Sequence, residues 1–230
     1  FYELGSQFLQ KRQYSAAINY FKQSLENFKQ ARHQIGISES LNGLAKAHTS
    51  LGQIDQAIKF YEESLRINRD IRDEEMIASI LTVTASLYNI RGDNKKSLES
   101  FRESLSLSRK LRDKMLTVAN LTGIGGILYS FGDFNNALEH INESLAISEN
   151  LGSELGVLQN LITIGAIYQS TGKNDKSINS YQKALIIGKR IGHAEGIAKC
   201  FNGLGVVYQS KGDLFKALEF FKKSLRMSRE

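Results

Sequence analysis

The sequence reads as an all-α array of antiparallel helix pairs, and three observations carry that reading. A skeleton of residues returns every forty positions along the 230-residue chain. Within each copy the apolar residues fall at i, i+3, i+4 and i+7, and a turn glycine recurs without drift at Gly52, Gly92, Gly132, Gly172 and Gly212. A fixed period of roughly 20–50 residues signals stacked supersecondary units, and the spacing inside each copy is that of an amphipathic helix. The last copy shows the skeleton plainly: Phe201, Leu204, Gly205 and Tyr208, then Gly212, then Ala217 and Phe221.

Taken in order, residues 1–32 form a first repeat truncated at its N-terminus. Phe1–Lys11 is the tail of a helix, because Phe1, Leu4, Gly5 and Phe8 stand where Leu41, Leu44, Ala45 and His48 stand one period later. Tyr14–Arg32 supplies the partner helix, with Ala17, Phe21 and Leu25 on its buried side. The second repeat, 33–72, continues through Ala57, Tyr61 and Leu65. The third, 73–112, uses Leu81, Ala85 and Tyr88, then Ser97, Phe101 and Leu105. The fourth, 113–152, uses Leu121, Ile124, Gly125 and Leu128, then Ala137, Ile141 and Leu145. The fifth, 153–192, uses Leu161, Ile164, Gly165 and Tyr168, then Ser177, Tyr181 and Leu185. The sixth, 193–230, ends its stripe at Leu225. All six belong to a single array covering 1–230.

Small residues recur for a steric reason. Glycine inside a helix costs about 1 kcal/mol relative to alanine, so Gly125, Gly165 and Gly205 call for a packing explanation. With Ala45 and Ala85 they mark where one helix lets another approach closely. Ala57, Ser97, Ala137, Ser177 and Ala217 do the same on the second helix. The Gly-Asp pairs at Gly92, Gly132 and Gly212 end one helix and start the next, while Asp73, Asp113 and Ser153 cap the helix that opens each new repeat. His33 and His193 share that last phase, where a capping or solvent role suffices.

Composition excludes several classes. Hydrophobic residues make up 41% of the chain, enough for a continuous core, and proline is absent, which removes Pro-rich linkers and ligands. No apolar run reaches the roughly 18–20 residues needed to span a bilayer. A lone cysteine, Cys200, rules out an internal disulfide framework and suits a reducing, cytoplasmic setting. The net charge of +6 invites a nucleic-acid reading, but its distribution argues otherwise: residues 132–171 carry five acidic residues and no Lys or Arg. A phosphate-tracking surface needs a continuous basic stripe. Many cations, among them Arg66, Arg69, Arg72, Arg109, Lys110, Arg112, Lys189 and Arg190, sit near helix C-termini, where they complement the helix dipole. No nucleic-acid or membrane partner is therefore expected.

No catalytic constellation is visible. The glycines around Gly125 and Gly203 lack the lysine and the preceding strand of a phosphate loop. His33, His48, His140 and His193 have no i+3 or i+4 ligand partner, so no metal site is expected. His48 stands in a tyrosine phase as a half-buried packing residue. Cys200 reads as a buried structural thiol. The carboxylate pairs at Glu62 and Glu74 lie on solvated helix faces. The expectation is a non-enzyme without a cofactor.

The in-phase pattern [L/F]-x2-[L/I]-[G/A]-x2-Y, then [A/S]-x3-[F/Y], resembles tetratricopeptide repeats across essentially the whole chain. The forty-residue unit, without a closing proline, resembles the variant in kinesin light chain, Pins-type adaptors and Rap-type bacterial receptors. His48 and Leu128 replace the usual tyrosine, and Val83 with Thr84 occupies a phase that elsewhere holds glycine and leucine. The resemblance implies a right-handed superhelical solenoid whose first helices line a concave groove. Mapped residue by residue, the groove positions are Asn42, Lys46 and Thr49; Thr82, Ser86 and Asn89; Thr122 and Tyr129; Gln159, Ile162 and Gln169; Lys199, Asn202 and Gln209. These are mostly amides and hydroxyls, suited to the alternating N–H and C=O of an extended peptide, with Gly126 and Ala166 leaving room mid-groove. The expected function is a protein-interaction scaffold binding a peptide or protein segment. The alternative is a regulatory, sensor or dimerisation arm of a larger signalling protein such as a kinase, cyclase or transcription regulator. The ends lack polar capping helices and so invite more chain, a partner or a second copy in a homodimer.

Overall fold

The computed structural model of the protein describes residues 1–227. These form twelve α-helices and no strand. They succeed one another as α1 (Tyr2–Gln10) and α2 (Tyr14–Gln30), α3 (Gln34–Ser50) and α4 (Ile54–Ile71), α5 (Glu74–Arg91) and α6 (Asn94–Lys110). The second half continues as α7 (Lys114–Ser130) and α8 (Phe134–Asn150), α9 (Glu154–Ser170) and α10 (Asn174–Arg190), α11 (Ala194–Ser210) and α12 (Leu214–Met227). Contacts divide the chain into two compact units, Phe1–Leu116 and Thr117–Glu230.

The turns explain the register. Every turn places one residue in the left-handed region, and these residues fall twenty positions apart: Arg12, Arg32, Gly52, Arg72, Gly92 and Arg112 in the first unit, then Gly132, Gly152, Gly172, Gly192 and Gly212. The backbone period is therefore half the side-chain period. At each turn the left-handed residue donates its N–H three residues back and the next residue donates five back, as Arg72 does to Arg69 at 3.3 Å and Asp73 to Asn68 at 3.0 Å. That pairing satisfies the carbonyls a helix end leaves open. The residue that closes one helix also caps the next. Asp73 accepts from Met76 N–H at 3.0 Å, Asp113 from Leu116 at 2.9 Å, and Ser153 from Gly156 at 3.3 Å. His33 and His193 do the same through Nδ1, accepting from Gly36 and Gly196 at 2.9 Å.

In the first unit, Phe21 of α2 fills the space between two repeats. A Cβ at Gly5 of α1 would stand 2.7 Å from its ring, and one at Gly43 of α3 would stand 2.5 Å from the same ring. Ala17, Phe21, Leu25, Leu41 and Leu44 form one buried cluster, and Ala45, Ala57, Ile58, Tyr61, Ile80, Leu87 and Tyr88 form the next. The second unit repeats the device with Tyr181, whose ring lies against Gly165 of α9 and Gly203 of α11. Its cluster joins Leu158, Tyr181, Ala184, Leu185, Ile197, Cys200, Leu204 and Val207. Fully burying one such large side chain is worth roughly 1.5–3 kcal/mol.

Serines latch the helix pairs from α3/α4 onward from within. Ser64 donates to Ser38 O at 3.3 Å, Ser104 to Ala78 O at 2.8 Å, Ser144 to Val118 O at 3.5 Å and Ser224 to Ala198 O at 2.9 Å, all across the same sequence separation. The serines that replace alanine at Ser97 and Ser177 donate to Ala85 O at 2.7 Å and Gly165 O at 2.8 Å. A small side chain allows the close approach, and the hydroxyl finds an acceptor there.

One expectation is corrected. Phe1, Leu4 and Leu225, read as stripe residues, are 55%, 41% and 52% exposed. The physical reason is that α1 and α12 have packing neighbours on one side among the described residues. Arg69, Lys110 and Arg190 stand in the last turns of α4, α6 and α10 as expected, and each also pairs across helices: Arg69 with Glu103 at 2.7 Å, Lys110 with Glu74 at 2.6 Å, and Arg190 with Glu154 at 2.7 Å. Thr84 in the third repeat is buried and donates to Ile80 O at 2.7 Å, so its hydroxyl is satisfied in the phase that leucine or isoleucine fills in other repeats.

Candidate functional site

Within each unit the first helices of neighbouring repeats touch: α1 meets α3, and α9 meets α11. Side chains on that shared face are the candidate binding residues.

In the first unit the face holds a pocket of about 150 Å³ lined by Tyr2, Glu39, Asn42, Lys46, Tyr61, Met76, Ser79, Ile80 and Val83. The structure thus brings Asn42 and Lys46 together. Asn42 is 7% exposed; its Nδ2 donates to Met76 Sδ at 3.3 Å, and its Oδ1 is buried without a partner. A thioether sulfur accepts but does not donate, which fixes the amide orientation. A buried acceptor left open costs about 1–3 kcal/mol. Thr49 donates to Ala45 O at 2.8 Å and lies against Tyr61, whose phenol is pushed up to about 12 by burial, with the Thr49 hydrogen bond opposing. Tyr2 is likewise raised, by burial and then by the Glu39 carboxylate.

Other predicted residues have different surroundings. Thr82 donates to Ala78 O at 3.0 Å and meets Ser104 Oγ at 2.8 Å, while Thr122 meets Ser144 Oγ at 2.9 Å and donates to Asn160 Oδ1 at 3.4 Å. The Thr82 hydroxyl is thus engaged inside its helix pair, and that of Thr122 inside its pair and across to α9. Ser86 donates to Thr82 O at 3.2 Å on an exposed surface, and Asn89 is exposed. In α5 the pocket is lined by Met76, Ser79, Ile80 and Val83, one turn away from the positions read from the sequence. Only the neighbouring helices show which side of the α5 stripe faces α3.

In the second unit, Tyr129 reaches Ser170 Oγ at 3.1 Å, and Tyr181 donates to Gln169 Oε1 at 3.1 Å. Ile162 is half-buried against the apolar cluster, and Gln159 and Gln209 are exposed. Lys199 pairs with Glu195 at 2.6 Å, and these two join Ala198, Asn202, Ser224 and Met227 around a broad depression. A Cβ at Gly126 would meet nothing within 4 Å, so that position opens onto free space.

Among the described residues no three His, Cys, Asp or Glu side chains converge as a metal site would require, and no helix is long and apolar enough to cross a membrane. Cys200 is fully buried, and burial pushes its thiol up to about 12.

A tetratricopeptide repeat family model matches residues 1–70, 76–150 and 156–230. No curated protein sequence matches the chain. Among solved structures, BtubC (BKLC) from P. vanneervenii superposes with a TM-score of 0.78 at 21% identity, covering 92% of this chain and 89% of that one. A STAND signal-transduction ATPase with a tetratricopeptide repeat sensor, from Pyrococcus horikoshii, gives 0.86 at 16% identity, covering 99% of this chain but 36% of that one. A Rap protein complexed with Competence and Sporulation Factor gives 0.66 at 16% identity, covering 98% and 73%. At these identities the likeness shows an all-α tetratricopeptide fold.

Proposed function

We propose that this chain, which belongs to the tetratricopeptide repeat family, is a protein-interaction scaffold that holds an extended peptide or protein segment against its first helices. The observation that carries this reading is the pocket built jointly by α1, α3, α4 and α5, with an unpartnered amide oxygen in it. Side chains spread over one face of successive helices suit an extended ligand whose backbone offers N–H and C=O groups in turn. In this reading Asn42, Asn89, Gln169 and Asn202 hold the backbone. Lys46, Thr49, Ser86, Tyr129, Gln159, Ile162, Lys199 and Gln209 shape side-chain preference, and Thr82 and Thr122 contribute methyl surface. The solved complex of a Rap protein with Competence and Sporulation Factor supports it by analogy of fold.

The test is selection from a random-peptide phage library with the intact chain, repeated with the Asn42→Ala/Asn202→Ala double variant. The wild type enriches a sequence class, the double variant loses it, and helicity by circular dichroism is unchanged. Equal enrichment by the variant sinks the assignment. A second reading, a sensor arm of a larger signalling protein, is favoured by the likeness to the tetratricopeptide sensor of the STAND ATPase. It requires an effector domain in the same reading frame, or a change in oligomeric state on ligand binding measurable by analytical ultracentrifugation.

A further inference from the structure

The pocket in the first unit is not chemically neutral. Glu39 and Asn42 lie one turn apart on α3, and Glu39 has no ion-pair partner among the described residues. Asn42 Oδ1 is a second acceptor without a partner. The rings of Tyr2 and Tyr61 and the apolar side chains of Met76, Ile80 and Val83 share the lining with them. The only cation in the lining is Lys46, which is exposed. It lies seven residues from Glu39, about 10 Å along the helix. The equivalents of Glu39 in the later repeats are Ser79, Ala119, Gln159 and Lys199. No other repeat pairs a carboxylate with an amide at these phases, so repeat packing does not account for the pair.

We infer that this pocket receives a basic side chain, lysine or arginine, from the bound segment, its aliphatic stem against Ile80 and Val83 and its cationic head between Glu39 and Asn42 Oδ1. Two acceptors and two aromatic faces suit a donor-only cation, and about 150 Å³ accommodates one long side chain. Met76 covers Asn42, and its unbranched, adaptable side chain can turn aside as the head group enters. The inference rests on the reading of the first-helix face as a peptide site and names the side chain that this part of it selects.

The test uses the full chain and three blocked pentapeptides, Ac-Ala-Ala-X-Ala-Ala-amide, with X as lysine, norleucine or glutamate. Binding is followed by the side-chain amide signal of Asn42 and the methyl signals of Met76 and Ile80. The lysine peptide is expected to shift all three and to bind at least tenfold more tightly than the norleucine peptide. Glu39→Gln is expected to erase that tenfold difference. If norleucine or glutamate binds as well as lysine, or the peptides shift the first-helix face without moving Asn42, the basic-side-chain assignment is wrong and the peptide-site reading stands. If no peptide moves any signal on α1, α3 or α5, both are wrong.

Discussion

Arg72 and Gly152 occupy equivalent turn positions with φ of +61° and +65°. A side chain in the left-handed region costs roughly 1–2 kcal/mol, whereas glycine enters it freely but loses more entropy on folding. Arg72→Gly is therefore expected to raise stability by about 0.5–1 kcal/mol, and Gly152→Arg to lower it by about 1–2 kcal/mol, both read from urea denaturation midpoints. Cys200 supplies a second residue-level prediction. With its thiol fully buried and held at about 12, it carries little thiolate at neutral pH. Iodoacetamide should leave the native protein unmodified and label it in urea; rapid native labelling would contradict the packing described.

Adjacent glycines on one helix make opposite predictions. A Cβ at Gly125 would stand 2.6 Å from Ile141 Cδ1, whose side chain is fully buried, whereas one at Gly126 meets nothing within 4 Å. Overpacking costs about 1–3 kcal/mol, and replacing an unhindered helical glycine by alanine gains about 1 kcal/mol. Gly125→Ala should thus destabilise and Gly126→Ala stabilise, by thermal or urea unfolding. The α11 cap is tested similarly. His193→Ala removes the acceptor for Gly196 N–H and should cost about 1 kcal/mol, and His193→Asp should restore most of it.

For the molecule as a whole, alkaline pH should act through buried phenols. Burial raises Tyr61 to about 12 and moves Tyr88 and Tyr181 in the same direction. The unfolded chain ionises these groups near their ordinary value, about 10, while the folded chain keeps them neutral. Stability is accordingly intact below pH 10 and declines as pH rises from there toward 12 and beyond. Urea midpoints compared at pH 8 and pH 11 check the sign, with tyrosinate absorbance reporting whether ionisation accompanies unfolding. The exposed ion pairs, such as Arg69 with Glu103, should matter far less, at about 0–1 kcal/mol each.

The amino-acid pattern alone determined the helices, their forty-residue register, the capping residues and the steric role of the small positions, because each follows from local spacing that neighbouring repeats restate. It also named Asn42 with Lys46, and Lys199 with Asn202, pairs that the structure brings to a shared lining. Other features depend on contacts between residues far apart in sequence. The left-handed arginines hide the twenty-residue backbone period, since only glycine advertises that conformation. The pairing of Lys110 with Glu74 joins opposite ends of one repeat. The inward engagement of Thr82 and Thr122, and the open acceptor of Asn42 behind Met76, arise from the rotation of each first helix against its neighbours. Amphipathic periodicity locates a helical stripe to within about a turn. Whether a hydroxyl at its edge faces a partner helix or a ligand is settled when the helices pack.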